Sequence, residues 1–464
     1  MSPTITLELV DGVRVVVPDS LNLITPYVLQ EQQDWFEDEI KFLRRLVRPG
    51  QRAIDIGANC GVYAHTLARL AGPTGHVWAF EPASATARLL EAGIAANNLT
   101  NLEVIRSAVS SAPGTARLSI QENSELNELV RGSQPAHTTE TVSCVTLDDS
   151  MATHGWKDID FIKLDAEGEE TNILRAGRQL LAAESPLILY EIKAGAGLNL
   201  DLVERFLDLG YQSYRLVRGI DLLVPFGIEE PVDGYLLNLF CCKPDKAAHL
   251  AARGLLLEAG MGTSVVAPGS SDTYGWHKVL AGLPYGALLA DEWAQQGPDN
   301  ERRAVEAFLA HYAVSRDESL PKAERYGALE ASYQGFRQLC QTQPTHLRLS
   351  SLARVAVDYG ARSVGVKALE DLCNMILERE GQVCTSEPFL APATRFESLS
   401  PGRRQSVPAW ITAATLETLE RNQHYSSYFS GKKERWRLEM IRDLGFGSDE
   451  MQRRLALSQR RFGV

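Results

Sequence analysis

A chain of 464 residues, 44% apolar and 23% charged, is long enough for two or three domains with full cores, and its composition does not favour disorder. A formal charge of −12 argues against a phosphate backbone as the main partner, and the start Met1-Ser2-Pro3-Thr4-Ile5-Thr6 has neither the basic nor the apolar region of a signal peptide. No apolar run approaches a membrane span, and the seven scattered cysteines suggest neither a zinc site nor a disulfide framework, so a soluble cytoplasmic protein is expected.

In chain order, Ile5, Leu7, Leu9 and Val13, Val15, Val17 alternate about Asp11-Gly12 and predict a hairpin with a two-residue turn. Residues 25–47 read as one helix with an apolar stripe of Val28, Leu29, Trp35, Phe36, Ile40, Leu43 and Leu46, ended by Pro49-Gly50. Its other face, with Glu31, Gln32, Asp34, Glu37 and Glu39, reads as solvated, although Tyr27 or Glu31 is placed to touch a cofactor. Residues 53–56 form a short buried strand, Gly57 to Gly61 a tight turn, and 62–71 a helix entered directly from it. The second strand, 76–80, closes in Glu81-Pro82; helix 83–97 and strand 102–105 follow, ending at Ser107-Ala108.

Two β-rich runs, 115–120 and 141–147, predict a hairpin. The polar connection between them runs from Gln121-Glu122-Asn123-Ser124-Glu125 to His137-Thr138-Thr139 and is long enough to be a candidate substrate lid. Residues 160–164 are the fourth strand, with Asp165 to Glu169 at its end and a helix to about 183. The fifth strand, 187–190, ends in Glu191; helix 199–209 and strands near 211–217 and 235–242 complete a seven-stranded, mostly parallel sheet.

Pro244-Asp245 closes this domain at residue 245. Residues 246–464 read as a second, all-α domain with helices at 246–259, 300–313, 322–341, 346–359, 362–379, 408–424 and 432–459. The stretch 268–283, with Pro284-Tyr285-Gly286 after it, reads as a connection. Residues 352–369 look like one tetratricopeptide-type hairpin without a second copy. Trp276, His277 and Trp293 read as core packing rather than an aromatic wall, and the arginines from Arg435 to Arg461 as a solvated face.

The chemistry concentrates at Ala53-Ile54-Asp55-Ile56-Gly57-Ala58-Asn59-Cys60-Gly61. A parallel strand feeding a helix through a glycine turn puts that turn at the carboxyl edge of the sheet, where doubly wound folds bind ligands. The pattern is one glycine short of G-x-G-x-x-G, and Asp55 would repel a pyrophosphate but suits a ligand carrying an ammonium and a sulfonium. S-adenosylmethionine is such a ligand. Glu81, about 20 residues past the turn, is placed to accept from ribose hydroxyls.

With Asp55-Ile56-Gly57-Ala58-Asn59-Cys60-Gly61, Phe80-Glu81-Pro82, Ser107-Ala108-Val109, Thr146-Leu147-Asp148-Asp149 and Ile162-Lys163-Leu164-Asp165-Ala166-Glu167-Gly168-Glu169 in order, residues from about 20 to 245 resemble the FkbM family of S-adenosylmethionine-dependent methyltransferases. The resemblance implies a class I, Rossmann-like methyltransferase fold and O-methylation of a hydroxyl on a small molecule, sugar, polyketide, glycan or glycolipid. It implies cofactor contacts at Asp55, Gly57, Ala58, Asn59, Gly61, Glu81, Pro82, Ser107, Ala108 and Asp165. Asn59 stands where many methyltransferase turns have glycine, and asparagine tolerates positive φ better than most residues.

An alcohol acceptor must lose a proton as it takes the methyl, which calls for a base or a metal. Asp165 is the first candidate base, followed by Glu191 and Glu167; their mutual repulsion favours a general base and makes Mg2+ at Asp165 and Glu191 plausible. Lys163 is placed to pair with Glu167 or Glu191. His65 and His154 read as incidental, and His137, in the lid, as the histidine to test. An N-methyltransferase of the same fold and a non-catalytic scaffold are the rivals.

Overall fold

The computed structural model describes residues 3–130, 138–194, 197–229, 232–258, 275–295, 300–379 and 381–463. The chain divides into two compact units: Met1–Leu216 with Leu223–Val232 and Leu236–Glu258, and Val217–Leu222 with Asp233–Tyr235 and Ala259–Val464.

The first unit opens with β1 (Thr4–Glu8) paired antiparallel to β2 (Arg14–Pro18). Their turn has three residues rather than two: the Leu9 N–H donates to the Val13 carbonyl at 2.7 Å around Val10-Asp11-Gly12, and Gly12 supplies φ +78°. The expected single helix is two, α1 (Ile24–Gln32) and α2 (Asp38–Leu46), because Gln33 turns left-handed at φ 57° and ends the first. That break brings the acidic face inward: Glu31 and Asp34 are buried, and Arg44 grips Asp34 with two 2.7 Å hydrogen bonds.

There follow β3 (Arg52–Ile56), α3 (Val62–Ala71), β4 (His76–Phe80), α4 (Ser84–Asn97), β5 (Leu102–Ile105) and β6 (Ser107–Val109). Next come β7 (Gly114–Ser119), β8 (Glu128–Leu129), β9 (Thr139–Val145), α5 (Leu147–His154) and β10 (Phe161–Leu164). The unit continues with α6 (Glu170–Arg175), α7 (Arg178–Ala183), β11 (Leu187–Glu191), β12 (Lys193–Ala194), β13 (Gly197–Leu198) and α8 (Asp201–Asp208). It closes with β14 (Gln212–Val217), β15 (Leu222–Pro225), β16 (Asn238–Cys242) and α9 (Pro244–Ala252).

The main sheet runs β15-β14-β16-β11-β10-β3-β4-β5, with β11, β10, β3, β4 and β5 parallel and β16 antiparallel between β11 and β14. This is the strand order of a class I, Rossmann-like fold. It has eight strands rather than seven because Leu222-Leu223-Val224-Pro225 pairs at the edge, where a terminal proline costs no ladder bond. Alternate strand residues feed two cores: Ala53, Val77 and Ala79 pack with Ala64, Leu67 and Ala68, while Ile54, Ile56, Trp78 and Phe80 share a cluster with Leu180, Leu202 and Phe206. A second sheet, β6-β9-β7-β8, contains the expected pairing of β7 with β9. In the connection between them, 131–137, with His137, lies outside the described residues.

Helix α9 and the chain to Glu258 group with the first unit, past residue 245: Leu223 exchanges backbone bonds with Leu255 and Leu257, and Ala247, Leu250 and Leu256 enter its core. The second unit is helical: α10 (Trp276–Val279), α11 (Pro284–Gln295), α12 (Asn300–Arg316), α13 (Lys322–Thr342), α14 (His346–Tyr359), α15 (Arg362–Glu378), α16 (Arg395–Ser398), α17 (Val407–Gln423), α18 (Ser427–Ser430), α19 (Arg435–Leu444) and α20 (Asp449–Phe462). Pro284 starts a helix instead of a connection, as a proline can at a first turn. The last predicted helix is split at Gly445, which caps α19 in the left-handed region. Trp276 and Trp293 are core, edge to face at 5.5 Å, and Arg437 and Arg454 are buried in ion pairs with Glu434 and Glu450 rather than solvated. Among the described residues no helix is long and apolar enough to cross a membrane.

Candidate active site

The site forms where β3 and β10 end side by side. The Asp165 N–H donates to the Ile56 carbonyl at 3.2 Å, and a Cβ on Gly57, at φ +78°, would stand 1.8 Å from the Asp165 carbonyl oxygen. Only glycine lets these two strand ends approach so closely. The Gly57 and Ala58 N–H groups donate to the Phe80 carbonyl at 3.1 and 2.9 Å, which ties the turn to the end of β4. Asn59 takes φ 48°, and its N–H donates to Glu81 Oε2 at 3.0 Å; the Ala83 N–H holds Oε1 at 2.8 Å. Gly61 caps α3 at φ +88°, where a Cβ would strike Leu90 at 2.3 Å and His65 at 2.5 Å. His65 is therefore a wedge between helices, fully buried, with burial pushing it down to about 4.

Asp55 is fully buried, and neither of its carboxylate oxygens completes a hydrogen bond. Burial pushes it up to about 6; Asp165 adds to the rise, while Lys163 and the Ala64 amide oppose it. Burial likewise raises Glu81 to about 7 against the Ala83 and Asn59 amides. Pro82 is half-buried beside it, and Ser107 and Ala108 lie in β6, opposite Ser143 and Cys144 of β9. The Ala108 methyl packs with Ala83, Leu118, Val142 and Cys144, so Ser107 and the backbone are what this strand can offer a flat base.

At the ends of β10 and β11, Asp165, Glu167 and Glu191 each bring an oxygen within 4.8 Å of the others. Lys163 pairs with Asp165 at 2.7 Å, not with Glu167 or Glu191, because residues two apart on extended chain share a face and Asp165 still holds the ladder through its N–H to Ile56. Lys163 is buried, its ammonium 5.1 Å from the Tyr63 ring centre, and Asp165 and Asp55 hold it charged against burial. Glu191 is pushed up to about 10 by burial and by the charges of Asp165 and Glu167. Burial and Asp165 also raise Glu167, whose place on the exposed rim screens part of the effect. Glu169 and Glu170 are committed elsewhere, to Ser110 and Asn172 and to the Ala166 and Gly168 amides.

The residues from Asp55 at the end of β3 to Ser213 in β14 match the family model described as the methyltransferase FkbM domain, residues 55–213. These residues form an FkbM methyltransferase domain. The chain is an S-adenosylmethionine-dependent methyltransferase, and the FkbM domain contains both the glycine turn and the acidic cluster. The match begins at Asp55, so the hairpin and α1–α2 precede the FkbM domain.

Similar solved structures include methyltransferase FkbM from Methylobacillus flagellatus KT, 16% identical over 44% of this chain and 50% of that one, TM-score 0.29. An S-adenosylmethionine-dependent O-methyltransferase from Thermotoga maritima is 16% identical over 52% of this chain and 78% of its own, TM-score 0.27. An rRNA methylase from Streptococcus thermophilus is 12% identical over 44% and 93%, TM-score 0.25. No curated protein matches the chain.

The FkbM domain fits the donor. Asp55, buried with neither oxygen completing a hydrogen bond and only the Ala64 amide nearby, is suited to an ammonium, and Glu81 keeps free lone pairs for hydroxyls beyond the amide that each oxygen accepts. When bound, S-adenosylmethionine supplies an electrophilic methyl group.

Two further contributors complete the site, the first unforeseen in the sequence and the second at the start of the expected lid. Tyr63, on α3, donates its hydroxyl to Glu37, and Glu37 comes from the connection between α1 and α2. The other is a strap: Ser124 Oγ donates to Asn59 Oδ1 at 2.9 Å, Asn123 accepts from the Ile24 N–H at 2.8 Å, and Glu125 accepts from Thr25. The described start of the lid thus lies against the glycine turn and the first turn of α1.

Proposed function

We propose that this enzyme transfers the methyl group of S-adenosylmethionine to a hydroxyl of a small metabolite, sugar, glycan or glycolipid. The observation that carries this reading is the convergence of Asp165, Glu167 and Glu191 beside a buried lysine. An alcohol oxygen forms its bond to carbon as the carbon–sulfur bond breaks, and its proton has to leave to a nearby base. Asp165, ion-paired with Lys163 at 2.7 Å, is suited to orienting the acceptor hydroxyl. Glu191 is pushed up to about 10, and a cation entering the cleft favours its ionised form, so we assign it the proton. Glu167 stands on the rim, where an acceptor would enter. Most of the acceleration then comes from holding oxygen and methyl in line.

The charge of −12 supports a small acceptor over a nucleic acid, and an odd number of thiols supports a cytoplasmic location. A second reading places Mg2+ among Asp165, Glu167 and Glu191, supported by their mutual approach within 4.8 Å. Against it, the Lys163 ammonium already neutralises one of the three.

Calorimetric titration of S-adenosylmethionine and S-adenosylhomocysteine into wild type, Asp55→Ala and Glu81→Ala tests the donor site. Micromolar binding lost in both variants is expected. Mass-detected methylation of a hydroxyl-compound panel, with magnesium or with EDTA, then tests the acceptor. Turnover that is insensitive to EDTA and falls about a hundredfold in Glu191→Gln supports the base and excludes the metal. Methylation confined to amines or to RNA would overturn the acceptor class.

A further inference from the structure

Glu37 stands outside the FkbM domain, at the residue that caps α2, yet its carboxyl enters the cleft. It accepts the Tyr63 hydroxyl and the Trp35 indole, and it shares the fields of Lys163 and Asp165. The coupling is mutual: the charge of Glu37 helps hold Lys163 protonated and adds to the rise of Glu191. Around the strand ends, among the described residues, five carboxyls (Glu37, Asp55, Asp165, Glu167 and Glu191) thus face one ammonium, that of Lys163.

A neutral amide at position 37 would still accept the Tyr63 hydroxyl on its carbonyl oxygen, without the cost of drawing a charge out of water. The charge therefore serves something else. Lys163 offsets it only in part, being already paired with Asp165 at 2.7 Å. Burial raises Glu37, Asp55, Glu167 and Glu191, and a cation entering the cleft draws them toward their ionised forms, so the cleft is complementary to a cation. The donor carries one more positive charge than its spent thioether form, from which it differs by a single methyl group.

We propose that Glu37 is a specificity-determining residue that reads the positive charge of the methyl donor, so that part of the donor site lies in the helix pair preceding the FkbM domain. This rests on the cleft being the S-adenosylmethionine site. The affinity ratio of S-adenosylmethionine to S-adenosylhomocysteine isolates the effect, because every contact to adenine, ribose and the amino acid end is common to both ligands.

The experiment is calorimetry of both ligands on the full chain at pH 8, with thermal melts, for wild type, Glu37→Gln, Glu37→Asp and Tyr63→Phe. In Glu37→Gln, S-adenosylmethionine is expected to weaken about tenfold while S-adenosylhomocysteine stays within about twofold, the effect of one partly screened charge. Glu37→Asp keeps the charge and restores most of the ratio. Tyr63→Phe, which frees Glu37 from the hydroxyl that orients it, lowers the ratio in the same direction and serves as the test if Glu37→Gln does not fold. Equal weakening of both ligands, or an unchanged ratio in the variants, overturns the proposal and leaves Glu37 a packing residue. Failure of the wild type to bind either ligand overturns the donor site itself.

Discussion

Lys163 Nζ lies 2.7 Å from Asp165 Oδ2, an ion pair two residues apart at the point where a buried strand ends. Its lysine side chain is 8% exposed and its aspartate 35%, so the cost of separating the pair is unequal. Lys163→Met leaves Asp165, Asp55 and Glu37 without their shared cation and is expected to cost about 3 kcal/mol at pH 8. At pH 5 Asp55, whose carboxyl sits at about 6, is mostly protonated, and the loss should be smaller. Urea unfolding at the two pH values checks this; an equal loss at both would mean that packing, not charge, holds Lys163.

Gly57→Ala is expected to be far worse than a replacement at another left-handed glycine. Its Cβ would stand 1.8 Å from the Asp165 carbonyl oxygen, whereas at Gly155, φ +61°, nothing lies within 4 Å. Gly155→Ala should cost about 1 kcal/mol, the strain of the conformation alone. Gly57→Ala should cost about 3 kcal/mol or more and abolish donor binding, since the ends of β3 and β10 would have to part. Thermal melts and calorimetry on the two variants separate strain from collision.

The buried acids set how stability depends on pH. Between about 4 and 6 the folded state holds a proton on Asp55 that the unfolded chain has released, so Asp55 makes stability fall as pH rises through that window. Glu81, at about 7, and Glu191, at about 10, continue the decline in the same sense. His65 acts oppositely: neutral in the fold down to about 4, it makes stability fall as pH drops below 6.5. Asp55→Asn is therefore expected to gain about 2 kcal/mol at pH 8 while losing S-adenosylmethionine, and to leave the His65 decline exposed between pH 6 and 4. A variant less stable than wild type at pH 8 would show that Asp55 is not held against its own charge.

The glycine turn was legible because its signals are local: an acid at a strand end, glycines where the backbone crosses Asp165, and Glu81 one strand later. The pairing of β7 with β9 was legible from composition for the same reason. Glu37 was not. An apolar stripe drawn through 25–47 puts it on the outer face, and the break that turns it inward rests on Gln33 at φ 57°, a residue type that gives no sign of leaving the helix. The Lys163 partner was missed because strand alternation was stopped at Leu164; one residue further it puts Asp165 on the face of Lys163. In the helical unit the start of α11 and the split before α20 did leave marks, in Pro284 and Gly445, but each mark equally suits a connection.

The helical unit carries buried cations of its own, among them Arg354. Arg354 on α14 is 1% exposed; its Nε lies 3.0 Å from Asp358 Oδ2 and its Nη1 3.0 Å from Glu397 Oε1, with the Tyr312 ring centre at 5.5 Å. Tyr312 closes the set by donating its hydroxyl to Asp358 Oδ2 at 2.7 Å. Nη2 has no hydrogen-bond partner, so the guanidinium is satisfied by charge more than by a full set of bonds. Removing it leaves two partly buried carboxylates without their cation, and Arg354→Met is expected to cost about 3 kcal/mol. Removing the carboxylates as well should return part of that loss, because the desolvation cost goes with the charges. Urea unfolding of Arg354→Met and of Arg354→Met with Asp358→Asn and Glu397→Gln measures the difference. A triple variant no more stable than the single one would place the value of Arg354 in its packing against Tyr312 and not in its charge.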